Sequence, residues 1–270
     1  MEPEAAASET GAADPFAVPR EVEDVADCDF YHVIDLPGFG RVGGSWDLRG
    51  NVERYLSDTD YRGRRVLEIG TADGYLATEL EKRGAEVVAF DLGETAEYDC
   101  VPVERADVAA ARARMRVLQR RRVNAFWLVR RQLRSRVRMA HGHAGALPAG
   151  LGRFDYCFLG NLLQHLENPL RALAGAAALA REGVIVTEAN WRPELDQEAP
   201  LMSLLTPLKL RQAVPGWCFH WWQVTPGLLS QWLEILGFET IQRDEHDQLF
   251  AETGLRIPHF TVVARRRERG

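Results

Sequence analysis

The chain has 270 residues, of which 46% are hydrophobic and 27% charged. This is enough to bury one large core, so we expect a single large domain with added segments. The formal net charge is −6 and the isoelectric point is about 5.7. An acidic chain is not typical of proteins that bind nucleic acid or an acidic membrane surface, and we expect neither as a partner.

Cysteine usage and the N-terminal residues exclude further classes. Cys28, Cys100, Cys157 and Cys218 lie far apart without a C-x-x-C pair, so we expect no metal site and no disulfide framework. Residues 1–20 are acidic and lack the basic start and apolar centre of a signal peptide. No apolar run approaches the roughly 20 residues of a membrane span. We expect a disordered tail at 1–20 and a soluble, cytoplasmic protein.

Residues 21–60 form a mixed segment, called the cover below, which we expect to lie over a core domain at 61–270. Strand and helix patterns alternate along the chain after this segment. The predicted strands are RRVLEIG, EVVAFDL, a short one near RVRMAHG, FDYCFLG, GVIVTEAN, FETIQRDE and HFTVVARR. The predicted helices are YLATELEKRGA, about 106–135, NPLRALAGAAALA and LLSQWLEILGF. This alternation predicts a doubly wound α/β fold with a mostly parallel, seven-stranded sheet closed by an antiparallel hairpin.

The stretch VLEIGTADGY at 66–75 carries the first functional signal. Glycines after a buried strand let a ligand approach the backbone, and Glu68 and Asp73 make the turn acidic, which suits a cationic amino acid. Asp91 ends the next strand, where a carboxylate can accept hydrogen bonds from both hydroxyls of a ribose. A nucleoside with a cationic amino-acid tail is S-adenosylmethionine. The alternatives are an ordinary strand-to-helix turn and a nicotinamide enzyme. The nicotinamide alternative is disfavoured because GTADGY lacks the G-x-G-x-x-G spacing of those enzymes.

These residues and FDYCFLGNLLQHLENPLRAL at 154–173 resemble the class I S-adenosylmethionine-dependent methyltransferases over roughly residues 60–265. The resemblance implies a Rossmann-like fold with S-adenosylmethionine as cofactor. Stretches at 30–49, 160–173 and 219–238 look like the tRNA wobble-uridine methyltransferase-like subgroup. The larger N-terminal region of its tRNA enzymes has no counterpart in this chain, so we expect a small-molecule member.

The resemblance also implies the cofactor contacts, carried over position by position. They are Glu68, Gly70, Thr71, Asp73 and Gly74 around the methionine part, Asp91 and Leu92 at the ribose, His143 and Ala144 near the adenine, and Leu159 and Asn161 along the cofactor. The family usually places an acid beside the adenine after the third strand. Here that stretch reads HGHAGALP, without one.

Methyl transfer to a hydroxyl or an acidic carbon benefits from a base, and three residues are candidates. We expect His165 at the start of the helix after the fourth strand and Glu188 at the end of the fifth, so both can face one crevice. His32 is a reserve candidate. The alternatives are that His165 packs on its helix and that Glu188 only orders a loop.

The substrate pocket must come from segments outside the core. Residues 191–224 form a connection far longer than usual, which predicts a lid, and 30–49 supplies further rings. The expected substrate contacts are Tyr31, Trp46, Trp191, Trp217, His220 and Trp221. Alternatively, these rings only bury the lid on the sheet.

The stretch 112–138 is rich in arginine and could attract RNA. Arginine supplies nearly all basic residues of this chain, so we interpret the stretch as a solvated helix face.

We expect O-methylation of a small aromatic or glycosylated metabolite of a biosynthetic pathway, carried out by a homodimer. A tRNA wobble-uridine methyl- or carboxymethyltransferase and a non-catalytic methyltransferase-like partner protein are the alternatives. A carboxylated cofactor would need a cation beside the transferred group, for which Arg192 is a candidate.

Overall fold

The structure, a computed structural model, describes residues 14–99, 108–205 and 220–268. Its strands are β1 (Ile34–Leu36), β2 (Gly40–Val42), β3 (Trp46–Asp47), β4 (Arg65–Ile69), β5 (Glu86–Asp91), β6 (Arg138–His141), β7 (Phe154–Gly160), β8 (Ala180–Ala189), β9 (Met202–Leu204), β10 (Trp222–Val224), β11 (Phe238–Phe250) and β12 (Leu255–Arg266). Its helices are α1 (Val52–Leu56), α2 (Tyr75–Lys82), α3 (Val108–Gln132), α4 (Pro169–Leu179) and α5 (Pro226–Ile235).

One large sheet has the strand order β3-β11-β12-β8-β7-β4-β5-β6. Strands β4 to β8 run parallel, whereas β12 pairs antiparallel with β8 and β11. The predicted α/β fold with a mostly parallel sheet and a closing hairpin is thus confirmed. The eighth strand, β3, comes from the cover and joins the end of β11. With two residues it is too short to show a period in the sequence.

Helices cover both faces of this sheet because neighbouring strand residues point to opposite sides. Val66 packs with the cover and with α1, α2 and α3. Its neighbour Leu67 packs with α4 and α5 on the other face. The winding reverses between β4 and β7, and the carboxyl ends of these strands are where ligands bind in such a sheet.

Helix α3 has two different halves. Its second half is buried in the core through Ala125, Phe126, Trp127 and Val129, while Leu118 in the first half is 38% exposed. The buried rings are not available to stack on nucleic-acid bases. The arginines of the first half are mostly exposed, and the interpretation of this half as a solvated helix face stays a prediction.

The N-terminal cover reaches further than we predicted. Phe16 bridges Ala140 on the edge strand β6, and the Ala17 amide donates to the Met139 carbonyl at 2.7 Å. These two residues fall within the segment expected to be a disordered tail. Residues 1–13 lie outside the described part of the chain.

The predicted lid contains β9 and β10, which pair antiparallel. Residues 206–219, between these strands, lie outside the described residues, and the prediction for Trp217 falls there. Across the three described ranges, every helix is too short or too polar to cross a bilayer.

Candidate active site

A cavity of about 1010 Å³ opens at the carboxyl ends of β4 to β8. Small-molecule pockets measure roughly 300–1,000 Å³, so a cofactor and a second small molecule have room. The predicted site residues on its wall are Tyr31, Trp46, Gly70, Asp91, Leu92, His143, Ala144, Asn161, His165, Trp191 and His220. The predicted site residues away from its wall are His32, Glu68, Thr71, Asp73, Gly74, Leu159, Glu188 and Trp221.

The glycine turn after β4 has a backbone that requires glycine. Gly70 and Gly74 have φ of +86° and +81°, in the left-handed region that side chains disfavour. A Cβ on Gly70 would lie 3.1 Å from Leu162 Cδ1, and one on Gly74 would lie 2.7 Å from the Phe126 ring. The turn is therefore both left-handed and closely packed, which leaves backbone atoms of Gly70 at the cavity wall.

Asp91 lies where the ribose of the cofactor is expected. Its Oδ2 accepts the Ala72 amide and its Oδ1 the Leu92 amide, each at 2.6 Å. Burial raises the pKa of this carboxyl, although both backbone hydrogen bonds act against the rise. A carboxylate has about four lone-pair sites, so each oxygen retains capacity for a ribose hydroxyl. The acceptor oxygens at this position therefore fit the ribose hydroxyls of S-adenosylmethionine.

Glu68 and Thr71 lie beneath the glycine turn rather than on the cavity wall. Both are fully buried, and burial raises the pKa of Glu68 to about 8, with the nearby Thr71 hydroxyl opposing the rise. Neither the Glu68 carboxyl oxygens nor the Thr71 hydroxyl has a hydrogen-bond partner of good geometry among the described residues. Direct contact between Glu68 and the cofactor thus remains a prediction.

Asp73 holds the cover in place instead of facing the cavity. Its Oδ2 accepts the backbone amides of Tyr31 and His32 at 2.9 and 2.7 Å, and its Oδ1 lies 2.7 Å from His32 Nδ1. Burial would raise the pKa of Asp73, but the charge and hydrogen bonds of His32 outweigh it and lower the pKa. His32 is 3% exposed and lies away from the cavity wall. This position does not suit the role of reserve base that we expected for it.

An acid from a different loop lies beside His143, the residue that we expected near the adenine. Asp99, beyond β5, lies on the cavity wall, and its Oδ1 is 2.8 Å from Nε2 of His143. Its Oδ2 accepts the Glu167 amide at 2.8 Å, and its carbonyl accepts the Trp221 indole N–H at 3.0 Å. Asp99 thus connects three loops and the lid, through contacts that local sequence spacing does not reveal.

Aromatic rings from distant segments form one wall of the cavity. The Trp46 ring centroid lies 6.1 Å from that of Trp191 and 5.0 Å from that of Phe250. The Trp46 indole also donates to the Tyr31 hydroxyl at 3.1 Å. We did not predict Phe250, which ends β11. We call these four rings (Tyr31, Trp46, Trp191 and Phe250) the aromatic wall. The half-buried Tyr31, Trp191 and Phe250 offer apolar surface to a ligand, whereas Trp46 is 3% exposed and supports them.

His165 lies on the cavity wall beside a histidine of the lid. It ends a 3₁₀ turn, Leu163–His165, whereas α4 begins only at Pro169, so it does not start the helix as we expected. The His165 and His220 ring centroids are 4.5 Å apart. Burial, and secondarily the charge of His165, lowers the pKa of His220 to about 3. His220 is therefore neutral near pH 7.

Glu188 orders the loop that carries His165. Its Oε1 accepts the Leu162 and Leu163 amides at 2.9 and 2.7 Å. Burial raises its pKa to about 8, and these hydrogen bonds limit the rise. The carboxyl is 1% exposed and away from the cavity wall, which favours the loop-ordering alternative over a role as base.

Three arginines also reach the cavity wall: Arg114, Arg122 and Arg192. Arg122 pairs with Asp29 at 2.7 Å, and Arg192 pairs with Glu194. We had considered only Arg192, because the composition of the chain makes individual arginines weak signals. The described residues contain no cluster of metal-binding side chains.

A glycine turn after one strand and a carboxylate at the end of the next, beside the switch point of a doubly wound sheet, are typical of class I methyltransferases. The chain belongs to the methyltransferase domain family, which matches residues 47–256. This result confirms the predicted class, with S-adenosylmethionine as the cofactor of the family.

Relatives and a solved structure agree with this assignment. Ubiquinone biosynthesis O-methyltransferase of Aeromonas salmonicida (strain A449) is 27% identical over 178 residues, 65% of this chain and 63% of that protein. The enzyme of the same name from Alkalilimnicola ehrlichii is 26% identical over 63% of this chain and 58% of that protein. The chain therefore spans less than two thirds of these relatives.

The fold matches the crystal structure of magnesium protoporphyrin IX methyltransferase from Synechocystis PCC 6803 with bound SAH. The TM-score is 0.50, with 17% identity and 82% coverage of each chain. At this identity the match concerns the fold alone. The resemblance to the wobble-uridine subgroup stays a prediction.

Proposed function

We propose that this protein transfers the methyl group of S-adenosylmethionine to a hydroxyl of a small aromatic or glycosylated molecule. The proposal rests on one continuous cavity that holds Asp91, His165 and the aromatic wall. A flat acceptor can lie against these rings while it shares the cavity with the cofactor. Two relatives carry the name of an O-methyltransferase, which supports oxygen as the acceptor atom.

In this proposal, different residues hold the cofactor, orient the acceptor and accept its proton. Asp91 and the turn at Gly70 hold the cofactor, which supplies an electrophilic methyl group when bound. The aromatic wall orients the acceptor, and this positioning provides much of the rate. His165 accepts the proton of the acceptor hydroxyl, the task for which enzymes use imidazole most often.

The test combines an acceptor panel with a His165→Gln variant. Purified protein is incubated with S-adenosylmethionine and hydroxylated aromatic compounds, free and glycosylated, and mass spectrometry detects S-adenosylhomocysteine and methylated product. With an accepted compound, His165→Gln should lower kcat by roughly 10²–10⁴-fold and leave the Kd for S-adenosylhomocysteine nearly unchanged. Full activity of this variant would remove His165 from the mechanism.

A carboxymethyl transfer is the second candidate, because Arg192 and Arg122 place cations on the cavity wall. Mass spectrometry of molecules released by denaturing the purified protein separates the two cofactors. S-adenosylmethionine or S-adenosylhomocysteine supports methyl transfer, whereas the carboxylated form favours the tRNA reaction. In that case, the protein should also bind tRNA, and the amount of bound tRNA should fall steeply as the salt concentration rises. Failure to bind any of these nucleosides would favour a non-catalytic partner protein.

A further inference from the structure

Gln164, which the sequence did not single out, lies where the turn beside His165 meets the lid and the aromatic wall. It precedes His165 in the 3₁₀ turn Leu163–His165. Gln164 lines the cavity, yet it is 3% exposed. A buried amide needs partners for both its N–H donors and its oxygen, so the identity of those partners shows what this residue holds in place.

Both ends of the Gln164 amide are engaged. The Trp191 indole donates to its Oε1 at 2.7 Å, and its Nε2 donates to the Asn161 carbonyl at 3.3 Å. One side chain therefore joins a ring of the aromatic wall to the loop after β7. The bond to Trp191 is the shorter of the two.

The main chain of Gln164 holds the lid as well. Its carbonyl accepts the Trp221 amide at 2.7 Å, at the residue before β10. In the same turn, the Leu163 amide donates to Oε1 of the buried Glu188 at 2.7 Å. The turn beside His165 is therefore fixed to the sheet at one end and to the lid at the other.

Trp191 is held at two points. Its amide donates to Gln223 Oε1 at 2.7 Å, and its indole donates to Gln164. Gln223 anchors the backbone, and the Gln164 bond acts together with packing against Trp46 to orient the ring about its side-chain torsions. Without this bond, the backbone of Trp191 stays in place while the ring loses the polar contact that fixes its tilt.

We propose that Gln164 is a positioning residue, which fixes the Trp191 ring relative to His165 and thereby sets how an acceptor presents its hydroxyl. This proposal rests on the proposed function of the cavity. A displacement of about 1 Å between reacting groups can cost roughly 10²-fold in rate. Loss of the bond should lower kcat, while cofactor affinity, which depends on Asp91 and the glycine turn, should not change.

A first experiment needs no acceptor. The indole N–H resonance of Trp191, assigned with Trp191→Phe, is followed by ¹⁵N NMR in full-length protein with S-adenosylhomocysteine. Gln164→Leu should shift this resonance upfield and speed its exchange with solvent at least roughly 10-fold, because the bonded proton is released. Gln164→Glu keeps an acceptor oxygen and should preserve most of the shift. Gln231→Leu, at an exposed position of α5, is the matched control.

A second experiment measures kinetics with an acceptor found in the panel. Gln164→Leu should lower kcat by roughly 10–100-fold, Gln164→Glu should recover much of it, and the Kd for S-adenosylhomocysteine should change less than about 2-fold. In a Trp191→Phe background the same Gln164→Leu change should cost less than about 3-fold, because coupled residues are not additive.

The outcomes separate the two proposals. Wild-type protein that methylates no acceptor contradicts the proposed function, while the NMR result still decides whether Gln164 holds the ring. An active wild type with an unchanged Gln164→Leu variant, or additive losses with Trp191→Phe, overturns the positioning role. Comparable melting temperatures show that the variants are folded, and Gln164→Glu serves if Gln164→Leu does not fold.

Discussion

Asp91 serves two sets of partners with one carboxylate. It fixes the turn through the Ala72 and Leu92 amides, and it offers its remaining lone pairs to the cavity. This double role explains why an acid, rather than a neutral hydrogen-bonding residue, suits the end of β5.

Replacing Asp91 should therefore weaken cofactor binding strongly. Hydrogen bonds to a charged group contribute about 1.5–3 kcal/mol each, so Asp91→Ala should raise the Kd for S-adenosylhomocysteine by at least roughly 10–100-fold in calorimetric titrations. Asp60→Asn, at an exposed ion pair with Arg62, is the control. Unchanged affinity in a folded Asp91→Ala protein would contradict the ribose assignment.

At the scale of elements, the sequence predicts the core well because buried strands and amphipathic helices have regular periods. The seven predicted strands are present, and Asp91, His165 and Trp191 reach one cavity. The partners of polar groups were harder to predict. Asp73 bonds to His32, 41 positions earlier, and His143 bonds to Asp99, 44 positions earlier. Such contacts depend on how loops pack in three dimensions, which no local period encodes.

Two adjacent glycines of the cover, Gly43 and Gly44, allow the packing of its loops to be tested. A Cβ on Gly44 would lie 2.3 Å from the carbonyl carbon of His32, whereas one on Gly43 would meet nothing within 4 Å. Gly44→Ala must therefore push two segments of the cover apart, moving residue 44 away from the His32 backbone that Asp73 holds. We expect it to lower the free energy of unfolding by roughly 1–3 kcal/mol.

Gly43→Ala is the matched control, because neither glycine has the positive φ that a side chain would strain. Urea denaturation of both variants gives the comparison. Equal stability of the two variants would show that the cover is not packed as described.

At the scale of the whole molecule, buried carboxyl groups make stability depend on pH. Burial raises the pKa of both Glu68 and Glu188 to about 8, well above the ordinary value of about 4.3 in an unfolded chain. Between these two values the folded state binds more protons than the unfolded state. The contribution of these groups to stability therefore falls as the pH rises from about 4.3 to about 8.

Glu188→Gln should reduce this dependence. Its amide oxygen can still accept the Leu162 and Leu163 amides, but it has no proton to lose. Relative to wild type, the variant should therefore lose less stability between pH 6 and pH 8.5 in thermal melts, with part of the slope kept by Glu68. Glu234→Gln, at an ion pair on the surface with Arg267, should retain the wild-type slope. An unchanged slope in Glu188→Gln would contradict the raised pKa.

The aromatic wall is assembled from three segments that lie far apart in the gene. Tyr31 and Trp46 come from the cover, Trp191 from the start of the lid and Phe250 from the closing hairpin. Gly70 follows the parallel strand β4, and Asp91 ends the parallel strand β5. Point mutations in the wall segments can therefore alter acceptor choice without touching the codons for cofactor binding. Residues 31 and 32 have less freedom, because Asp73 holds their backbone. Divergence between relatives should concentrate in the rings and leave that junction fixed.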